Sequence, residues 1–385
     1  MKVSRKLEQH IAVFGESGSG KTVLLSSFYG ASQEQSFRTR ALFNVVSDDV
    51  GQGNKLYKNY IGMRERAELP ASNRFTSTSY SFSIKLKADG GTKTAGKHPF
   101  DALRLVWHDY PGEWFEQDVS GPEESERRLD TFKSLLGSDV ALLLVDAQKL
   151  LDNAGEEERY LKSLILNFRN GLLSLKDDLL LDGRPLAQFP RIWVLALSKA
   201  DLMPGMDVYA FRDLVIGYVA DELDDLRREL AAMVEGKALS IGEDFVLLSS
   251  AKFEPGKIDL TDRIGIELVL PIAAMLPFER HVQWAERKEL PGKVVDNLVD
   301  NAGLIAGIIM GTSGKFAKTT SILGKVLRFM DADLIAQAAR SAGEQLKKFN
   351  TESREKGDTM RSILTGFKMD LEKGEKDQIL LRSQQ

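Results

Sequence analysis

The sequence predicts an α/β fold in which a mostly parallel sheet lies between two layers of helices, followed by an all-α C-terminal region. Up to about residue 290, short apolar runs alternate with longer segments of helical periodicity, and this alternation favours parallel strands joined by helices. The apolar runs are nearly continuous, as is typical of strands that are buried on both faces. Strand signals stop at about Pro291. We therefore expect an α/β domain over residues 1–290 and a helical region over residues 291–385.

Local patterns predict the individual elements of the first domain. The helices carry apolar residues at spacings of three and four, whereas residues 77–87 alternate apolar and polar side chains and precede a glycine-rich turn, as the first strand of a hairpin does. The expected elements, in chain order, are a strand at 11–14, a helix at 23–29, a helix from Ser47 to Met63, a hairpin of 77–87 and 102–108, a strand at 139–145, a helix at 156–175, a strand at 192–197, a helix at 208–230 and a strand at 245–248.

Composition excludes several classes of protein. The chain has 385 residues, and 43% of them are hydrophobic, which is enough for a large core. A net charge of −4 provides no field that would attract nucleic acid, so we expect no nucleic-acid partner. The absence of cysteine rules out disulfides, thiolate catalysis and cysteine-bound metals. Neither a secretory signal nor a membrane-spanning run is visible, and a cytoplasmic location is expected, with membrane association left open.

The first predicted strand leads directly into a glycine-rich loop. Residues 15–22 read Gly-Glu-Ser-Gly-Ser-Gly-Lys-Thr, which is the pattern G-x-x-x-x-G-K-T. The backbone N–H groups of such a loop wrap a phosphate at the positive end of the following helix. Lys21 would reach the β- and γ-phosphates, and the hydroxyl of Thr22 would bind Mg²⁺. The expected phosphate-binding residues are Gly15, Ser17, Gly18, Ser19, Gly20, Lys21 and Thr22.

A second candidate segment follows the strand that ends at His108. Asp109 can hold Mg²⁺ directly or through water, and the N–H of Gly112 can approach the γ-phosphate. Neighbouring residues of a strand point to opposite faces, so we expect the side chain of His108 to face away from Asp109 and to be a packed, structural histidine.

Two further segments follow the carboxyl ends of apolar strands, where open α/β sheets bind ligands. The carboxylate of Asp201 can pair with N1–H and N2–H₂ of guanine, which adenine does not offer. The aliphatic stem of Lys199 can lie along the plane of the base. In the last segment, Ser250, Ala251 and Lys252, the N–H of Ala251 is placed to donate to guanine O6.

These segments, in this order, resemble the Ras-like (TRAFAC-class) P-loop GTPase domain over roughly residues 10–255. The phosphate loop of that family corresponds to residues 15–22, its D-x-x-G motif to 109–112, its base motif to 198–201 and its S-A-K motif to 250–252. Residues 109–114 are also similar to the switch of the YcjX-like, stress-associated P-loop family. The resemblance implies a three-layer P-loop NTPase domain that binds GTP or GDP with Mg²⁺.

The resemblance also implies a switch I threonine that completes the metal site, for which Thr76 is our choice and Thr78 is the close alternative. Three positions depart from the pattern of the family. Ser198 replaces the usual Asn or Thr of the base motif, and we expect it to keep one hydrogen bond to the phosphate loop. Ser17 stands where small GTPases favour glycine, and Glu113 stands where they place a glutamine that orients water.

These departures indicate slow hydrolysis, or hydrolysis that depends on a partner or a second protomer. Catalytic roles would fall to Lys21, Thr76 and Glu113. The main hypothesis is therefore a GTP-binding protein with slow, Mg²⁺-dependent GTP hydrolysis. The alternatives are an ATP-specific P-loop ATPase and a nucleotide-gated scaffold or membrane-associated effector with negligible turnover.

The C-terminal region carries one distinctive pattern. Gly303, Gly307 and Gly311 recur at every fourth residue of a helix predicted over 294–311, so they share one face and allow another helix to approach closely. The surrounding uncharged window is too short for a simple membrane span. We expect oligomerisation or partner binding through residues 291–350, in preference to peripheral membrane contact by the glycine stripe. From Glu344 onward we expect a solvated helix or frayed tail.

Overall fold

The computed structural model describes a defined part of the chain: residues 8–71, 78–87, 101–109, 112, 121–173, 176, 191–233, 239–286 and 362–383. Its strands are β1 (Glu8–Phe14), β2 (Phe43–Ser47), β3 (Thr78–Leu86), β4 (Asp101–Asp109), β5 (Val140–Asp146), β6 (Arg191–Ser198), β7 (Leu239–Leu248), β8 (Lys252–Glu254), β9 (Lys257–Asp259) and β10 (Leu380–Leu381). Its α-helices are α1 (Lys21–Gln33), α2 (Gln35–Arg40), α3 (Val50–Arg66), α4 (Pro122–Leu136), α5 (Ala147–Asp152), α6 (Glu157–Leu173), α7 (Val208–Met233), α8 (Val269–Glu286) and α9 (362–376).

One mostly parallel sheet forms the centre of the molecule. Its eight strands lie in the order β10-β7-β6-β5-β1-β4-β3-β2. The central strands, from β7 to β4, are parallel to one another, whereas β3 and β10 run antiparallel to their neighbours β4 and β7. All seven residues of β5 are buried, as the continuous apolar run predicts. The predicted fold class, a mostly parallel sheet with helices, is confirmed.

Helices cover both faces of the sheet because successive residues of each strand point to opposite sides. Ile11 and Val13 of β1 pack in a core that also contains residues of α1, α8 and α9. Ala12 and Phe14 pack in the opposite core, with residues of α4, α6 and α7. The sheet therefore holds β1, and the loop that follows it, between two hydrophobic cores.

The region between α1 and β3 contains more structure than the sequence predicts. The expected helix is present as α3, and the carboxylate of Asp49 caps it by accepting a hydrogen bond from the N–H of Gln52 at 2.8 Å. Strand β2, which we did not predict, adds an edge to the sheet beside β3. Phe43 and Val45 are the apolar residues of β2 that point into the core. Two alternating apolar residues within a polar segment are too few to predict a strand.

The C-terminal residues return to the sheet. Phe367, Leu371 and Leu380 are buried in the core on the α1 and α8 side, and β10 extends the sheet beside β7. The expectation of a solvated or frayed tail is therefore wrong for residues 362–383, because their apolar side chains have a hydrophobic face to cover. The predicted helix with its glycine stripe, the rest of the surface expected at 291–350 and the 290/291 boundary lie outside the described residues.

A buried ion pair holds this returning segment. The guanidinium of Arg280 on α8 pairs with the carboxylate of Asp244 on β7, and both side chains are almost fully buried. Arg280 also donates to the carbonyl oxygen of Ser383 at 2.9 Å, and Asp244 accepts from the N–H of Ser383 at 3.0 Å. Among the helices that the structure describes, none is long and apolar enough to cross a membrane.

Candidate nucleotide-binding site

The glycine-rich loop connects β1 to α1, as the sequence predicts. Gly18 and Gly20 have φ angles of 78° and 91°, in the left-handed region that favours glycine. The N–H of Ser19 donates to the carbonyl oxygen of Glu16 at 3.2 Å, which closes the loop on itself. Helix α1 begins directly after Gly20, which provides no side-chain cap, so its first N–H groups have no intrahelical partner and suit an anion.

Lys21 lies across this loop. Its side chain is buried, and Nζ donates to the carbonyl oxygens of Gly15 at 2.7 Å and Glu16 at 3.0 Å. These bonds hold the ammonium group against the loop that would wrap the phosphates. The loop is also tied to α5, because Lys149 forms an ion pair with the Glu16 carboxylate at 2.7 Å. Glu16 and Lys149 are far apart in sequence, and no motif predicts this tether.

The two predicted Mg²⁺ ligands that the structure describes lie together. The hydroxyl of Thr22 donates to a carboxylate oxygen of Asp109 at 3.4 Å, and Asp109 is buried. Parallel pairing of β1 with β4 places both residues at the same edge of the sheet. A hydroxyl and a carboxylate are oxygen ligands of the kind that Mg²⁺ prefers, so this pair fits the ion. Thr78 pairs with Asp109 across β3 and β4, whereas Thr76 and Glu113 lie outside the described residues.

Gly112 touches the phosphate loop. A Cβ atom at this position would overlap the backbone N of Ser17 and lie 2.7 Å from the carbonyl oxygen of Glu16. Only glycine permits this approach of two backbones. The glycine of the D-x-x-G segment therefore contacts the backbone of the predicted phosphate loop.

His108 has the structural role that we expected. It is buried, with Nε2 at 3.1 Å from Nδ1 of His10 and Nδ1 at 2.9 Å from the hydroxyl of Ser79. Burial, together with the nearby His10, lowers the pKa of His108 to about 4. A neutral imidazole that joins β1, β4 and β3 follows from this arrangement.

Lys199, which directly follows β6, is held in a defined position. Its backbone adopts the left-handed conformation, with φ at 55°, and its Nζ lies 2.7 Å from Oδ2 of the buried Asp146 at the end of β5. The neighbouring Ser198 donates to the carbonyl oxygen of Val145 at 3.3 Å. The hydrogen bond that we expected from Ser198 to the phosphate loop is therefore not the one in the structure, because the side chain turns toward the adjacent strand.

The two segments that we predicted to bind the base contact each other. The hydroxyl of Ser249 donates to Oδ1 of Asp201 at 2.6 Å, which links the loop after β6 to the loop after β7. Ser250 and Ala251 are buried beside this bond. Lys252 has an exposed side chain 3.6 Å from Glu254, and it is not among the residues that line the cavity.

One cavity of about 280 Å³ joins these segments. The residues that line it and belong to the predicted motifs are Gly18, Ser19, Gly20, Ser198, Lys199 and Ser250. Gln148, Leu69 and Phe253 also line it and were missed by sequence reasoning. Gln148 and Phe253 lie a few residues after the ends of β5 and β7, a position typical of ligand-binding residues that sequence reasoning did not use. Leu69 follows α3, and no sequence pattern marks it.

Comparison with known proteins gives only distant similarities. No protein-family model and no curated protein matches the sequence. The GTP-bound GTPase-like domain of Ski7 from S. cerevisiae aligns at 15% identity and a TM-score of 0.30, over 64% of this chain and 43% of that one. This chain thus spans less than half of the Ski7 chain. The SRb-GTP/SRX signal recognition particle receptor complex from Chaetomium thermophilum aligns at 17% identity and a TM-score of 0.35, over 64% and 93%.

Such similarities carry no weight for the ligand or activity of this chain, and its own geometry defines its class. A glycine-rich loop of the pattern G-x-x-x-x-G-K-T between β1 and α1, beside a mostly parallel sheet between helical layers, is the arrangement of a P-loop NTPase domain. The predicted motifs of a Ras-like GTPase domain follow the carboxyl ends of β1, β4, β6 and β7, at one edge of the sheet. The chain therefore has the fold of a P-loop GTPase domain.

Proposed function

We propose that this protein binds GTP and GDP with Mg²⁺ and hydrolyses GTP slowly. The observation that carries the proposal is a cavity that runs from the phosphate loop to the loops after β6 and β7. Asp201 and Ala251 are not among its lining residues, but Asp201 accepts a hydrogen bond from Ser249, which does line the cavity, and Ala251 lies two residues after Ser249. A nucleotide with its phosphates at the loop would therefore have its base beside these two residues.

The residues around the phosphates have distinct roles in this proposal. Lys21 and the N–H groups of the loop bind the β- and γ-phosphates. Thr22 and Asp109 would hold Mg²⁺, with Thr76 or Thr78 as a further ligand. When bound, the ion neutralises charge on the phosphate oxygens. Gly112 brings its N–H to the γ-phosphate because it already touches the loop backbone.

Slow hydrolysis follows from two side chains. Ser17 adds a side chain at a loop position whose backbone is in contact with Gly112. Glu113 follows Gly112 in the sequence, and a carboxylate near the γ-phosphate would be repelled by its charge unless it accepted a proton or turned away. A partner or a second protomer would supply what these positions lack.

We further propose that nucleotide state is coupled to assembly or partner binding through residues 291–350, in the cytoplasm or at a membrane surface. The packing of α8 and α9 supports this coupling. Both helices pack against the sheet that carries the candidate nucleotide site, and residues 291–350 lie between them in the sequence. A movement of the sheet at the nucleotide site would therefore displace α8 and α9, which precede and follow residues 291–350 in the sequence.

The guanine assignment is tested at Asp201. We expect Asp201→Asn to weaken GDP binding by roughly 10- to 150-fold, the cost of losing hydrogen bonds to a charged group. The same variant should gain affinity for xanthosine diphosphate, whose base offers an acceptor where guanine offers a donor. Isothermal titration of both nucleotides measures the switch, with the exposed Asp225→Asn as the matched control. Unchanged GDP affinity in Asp201→Asn would remove this residue from the base site.

Two alternatives have their own tests. An ATP-specific ATPase predicts ATP binding equal to or better than GTP binding, which a titration with both triphosphates reveals. A scaffold with negligible turnover predicts no phosphate release at any protein concentration. A rate that rises with protein concentration would instead support hydrolysis that is activated by assembly.

A further inference from the structure

The cavity has an apolar wall that none of the predicted motifs supplies. Leu69, after α3, and Phe253, on β8, both line it. These residues are 61% and 36% exposed, so both keep contact with solvent while they line the cavity. Both would lose water contact if a flat apolar surface entered between them and the opposite wall.

The position of Phe253 is supported by the residue beside it on the neighbouring strand. Phe253 pairs directly with Ile258 across the β8–β9 hairpin. Ile258 is buried in a small hydrophobic cluster with Tyr60 and Met63 of α3 and with Ala251. The β8–β9 hairpin therefore packs against α3, and this packing fixes the strand that contains Phe253.

Leu69 is placed by the end of the same helix. Ala67 terminates α3 with a φ of 52°, and the N–H of Glu68 donates back to the carbonyl oxygen of Gly62 at 3.1 Å. This left-handed termination turns the chain sharply. Leu69 follows two residues later and reaches the cavity.

Lys199 and Leu202, from the segment after β6, also line the cavity. Because Nζ of Lys199 is bound to Asp146 at 2.7 Å, the aliphatic stem of the lysine is held in place. An aromatic ring, a leucine and a lysine stem that line one cavity form a slot suited to a planar ring system.

We infer that Phe253, supported by Leu69, stacks on the base of the bound nucleotide. This inference rests on the proposed function, and it names a binding residue outside the GTPase motifs. A base–aromatic contact depends on the π-face that every base has, so Phe253 sets how tightly a base is held and not which base is chosen. Asp201 would instead bind the edge of the base. Substitution of Phe253 should therefore weaken binding of every nucleotide, whereas substitution of Asp201 should change the preference between bases.

The experiment compares wild-type protein with Phe253→Ala, Phe253→Trp and the control Tyr209→Ala. Tyr209 is an aromatic residue on α7 with similar exposure, 38%, and it does not line the cavity. Each variant is titrated calorimetrically with GDP, ADP and inorganic pyrophosphate in the presence of Mg²⁺. Urea unfolding verifies that all variants are folded.

We expect Phe253→Ala to weaken GDP binding by roughly 5- to 150-fold, the range found for loss of base–aromatic stacking. Any measurable ADP binding should weaken by a similar factor, while pyrophosphate binding stays unchanged because pyrophosphate has no base. Phe253→Trp should bind GDP at least as well as wild type, and GDP should change the fluorescence of the new indole. Tyr209→Ala should behave as wild type.

Two results would overturn the inference alone. One is wild-type GDP affinity in Phe253→Ala, and the other is a loss that is equally large for pyrophosphate. A wild-type protein that prefers ADP to GDP would overturn the guanine proposal, and the ADP titrations would then decide the role of Phe253. Absence of any nucleotide binding by the wild-type protein would overturn both.

Discussion

At the scale of single residues, the phosphate loop depends on positions where a side chain is not tolerated. Gly18 and Gly20 adopt left-handed backbone conformations, and Gly112 allows a second backbone to touch the loop. The last contact joins β4 to the loop after β1. It makes the position of the D-x-x-G segment sensitive to what occupies the loop.

Gly112→Ala tests this contact. The added Cβ would overlap the backbone of Ser17, so the segment must move away from the loop and from the γ-phosphate. We expect the ratio of GTP to GDP affinity to fall by roughly tenfold or more, since one hydrogen bond to a charged group is lost. Gly121→Ala is the control because no atom of the described residues lies within 4 Å of its Cβ position. Equal ratios in the two variants, measured by calorimetry, would contradict the proposed role of Gly112.

At the scale of elements, α3 packs closely against α1. A Cβ at Gly30 of α1 would overlap the ring of Tyr60 on α3. The hydroxyl of Tyr60 donates to the carboxylate of Glu34 and lies 3.5 Å from Arg263. Burial and the Glu34 carboxylate raise the pKa of Tyr60, so the phenol stays protonated and remains a donor. This contact fixes α3, which in turn supports the hairpin that carries Phe253.

Gly30→Ala should therefore destabilise the protein although alanine favours helices. Overpacking against a buried ring costs about 1–3 kcal/mol in the free energy of unfolding. The control Gly217→Ala on α7 adds a Cβ with nothing within 4 Å and should be neutral or stabilising by up to about 1 kcal/mol. Urea unfolding curves of both variants measure the difference. A Gly30→Ala variant as stable as the control would show that the two helices separate at little cost.

At the scale of the whole molecule, the end of the described chain helps to build the domain. Helix α9 and strand β10 bury apolar side chains against the core that contains α1 and α8. Gln378, just before β10, accepts a hydrogen bond from the N–H of Val208 at 2.9 Å, at the start of α7. The N–H of Leu247 donates to the carbonyl oxygen of Ile379 at 2.9 Å. The segment thus contacts elements that adjoin both base-reading loops.

Arg280→Ala tests how firmly this segment is held. The substitution leaves the carboxylate of Asp244 buried without its cationic partner, and such a loss typically costs about 3–5 kcal/mol. We expect a decrease of that size in the free energy of unfolding, measured by urea denaturation. The control Arg228→Ala breaks an exposed ion pair with Asp225 and should change stability by about 0.5 kcal/mol or less. Similar values for the two variants would contradict a clamping role for Arg280.

Much of the fold could be predicted because its signals are local. The loop at 15–22, the buried run of β5 and the apolar faces of α6 and α7 each lie within one short window of sequence. The order of these elements then limits the sheet to a few arrangements. Strand β2 escaped prediction because its inward apolar side chains are few. The return of residues 362–383 escaped prediction because the sheet and helices that they cover are distant in sequence.

The sequence by itself predicted the chemistry of the site: a phosphate loop, an Asp-and-Gly segment and two segments expected to bind the base, each identified by adjacent residues. Only the tertiary structure decided what surrounds them. It placed Gly112 against the loop, bound Lys199 to Asp146, turned Ser198 toward β5 and added Leu69 and Phe253 to the cavity. The physical reason is that these contacts join residues far apart in the chain, and their geometry exists only when the sheet and both helical layers have packed.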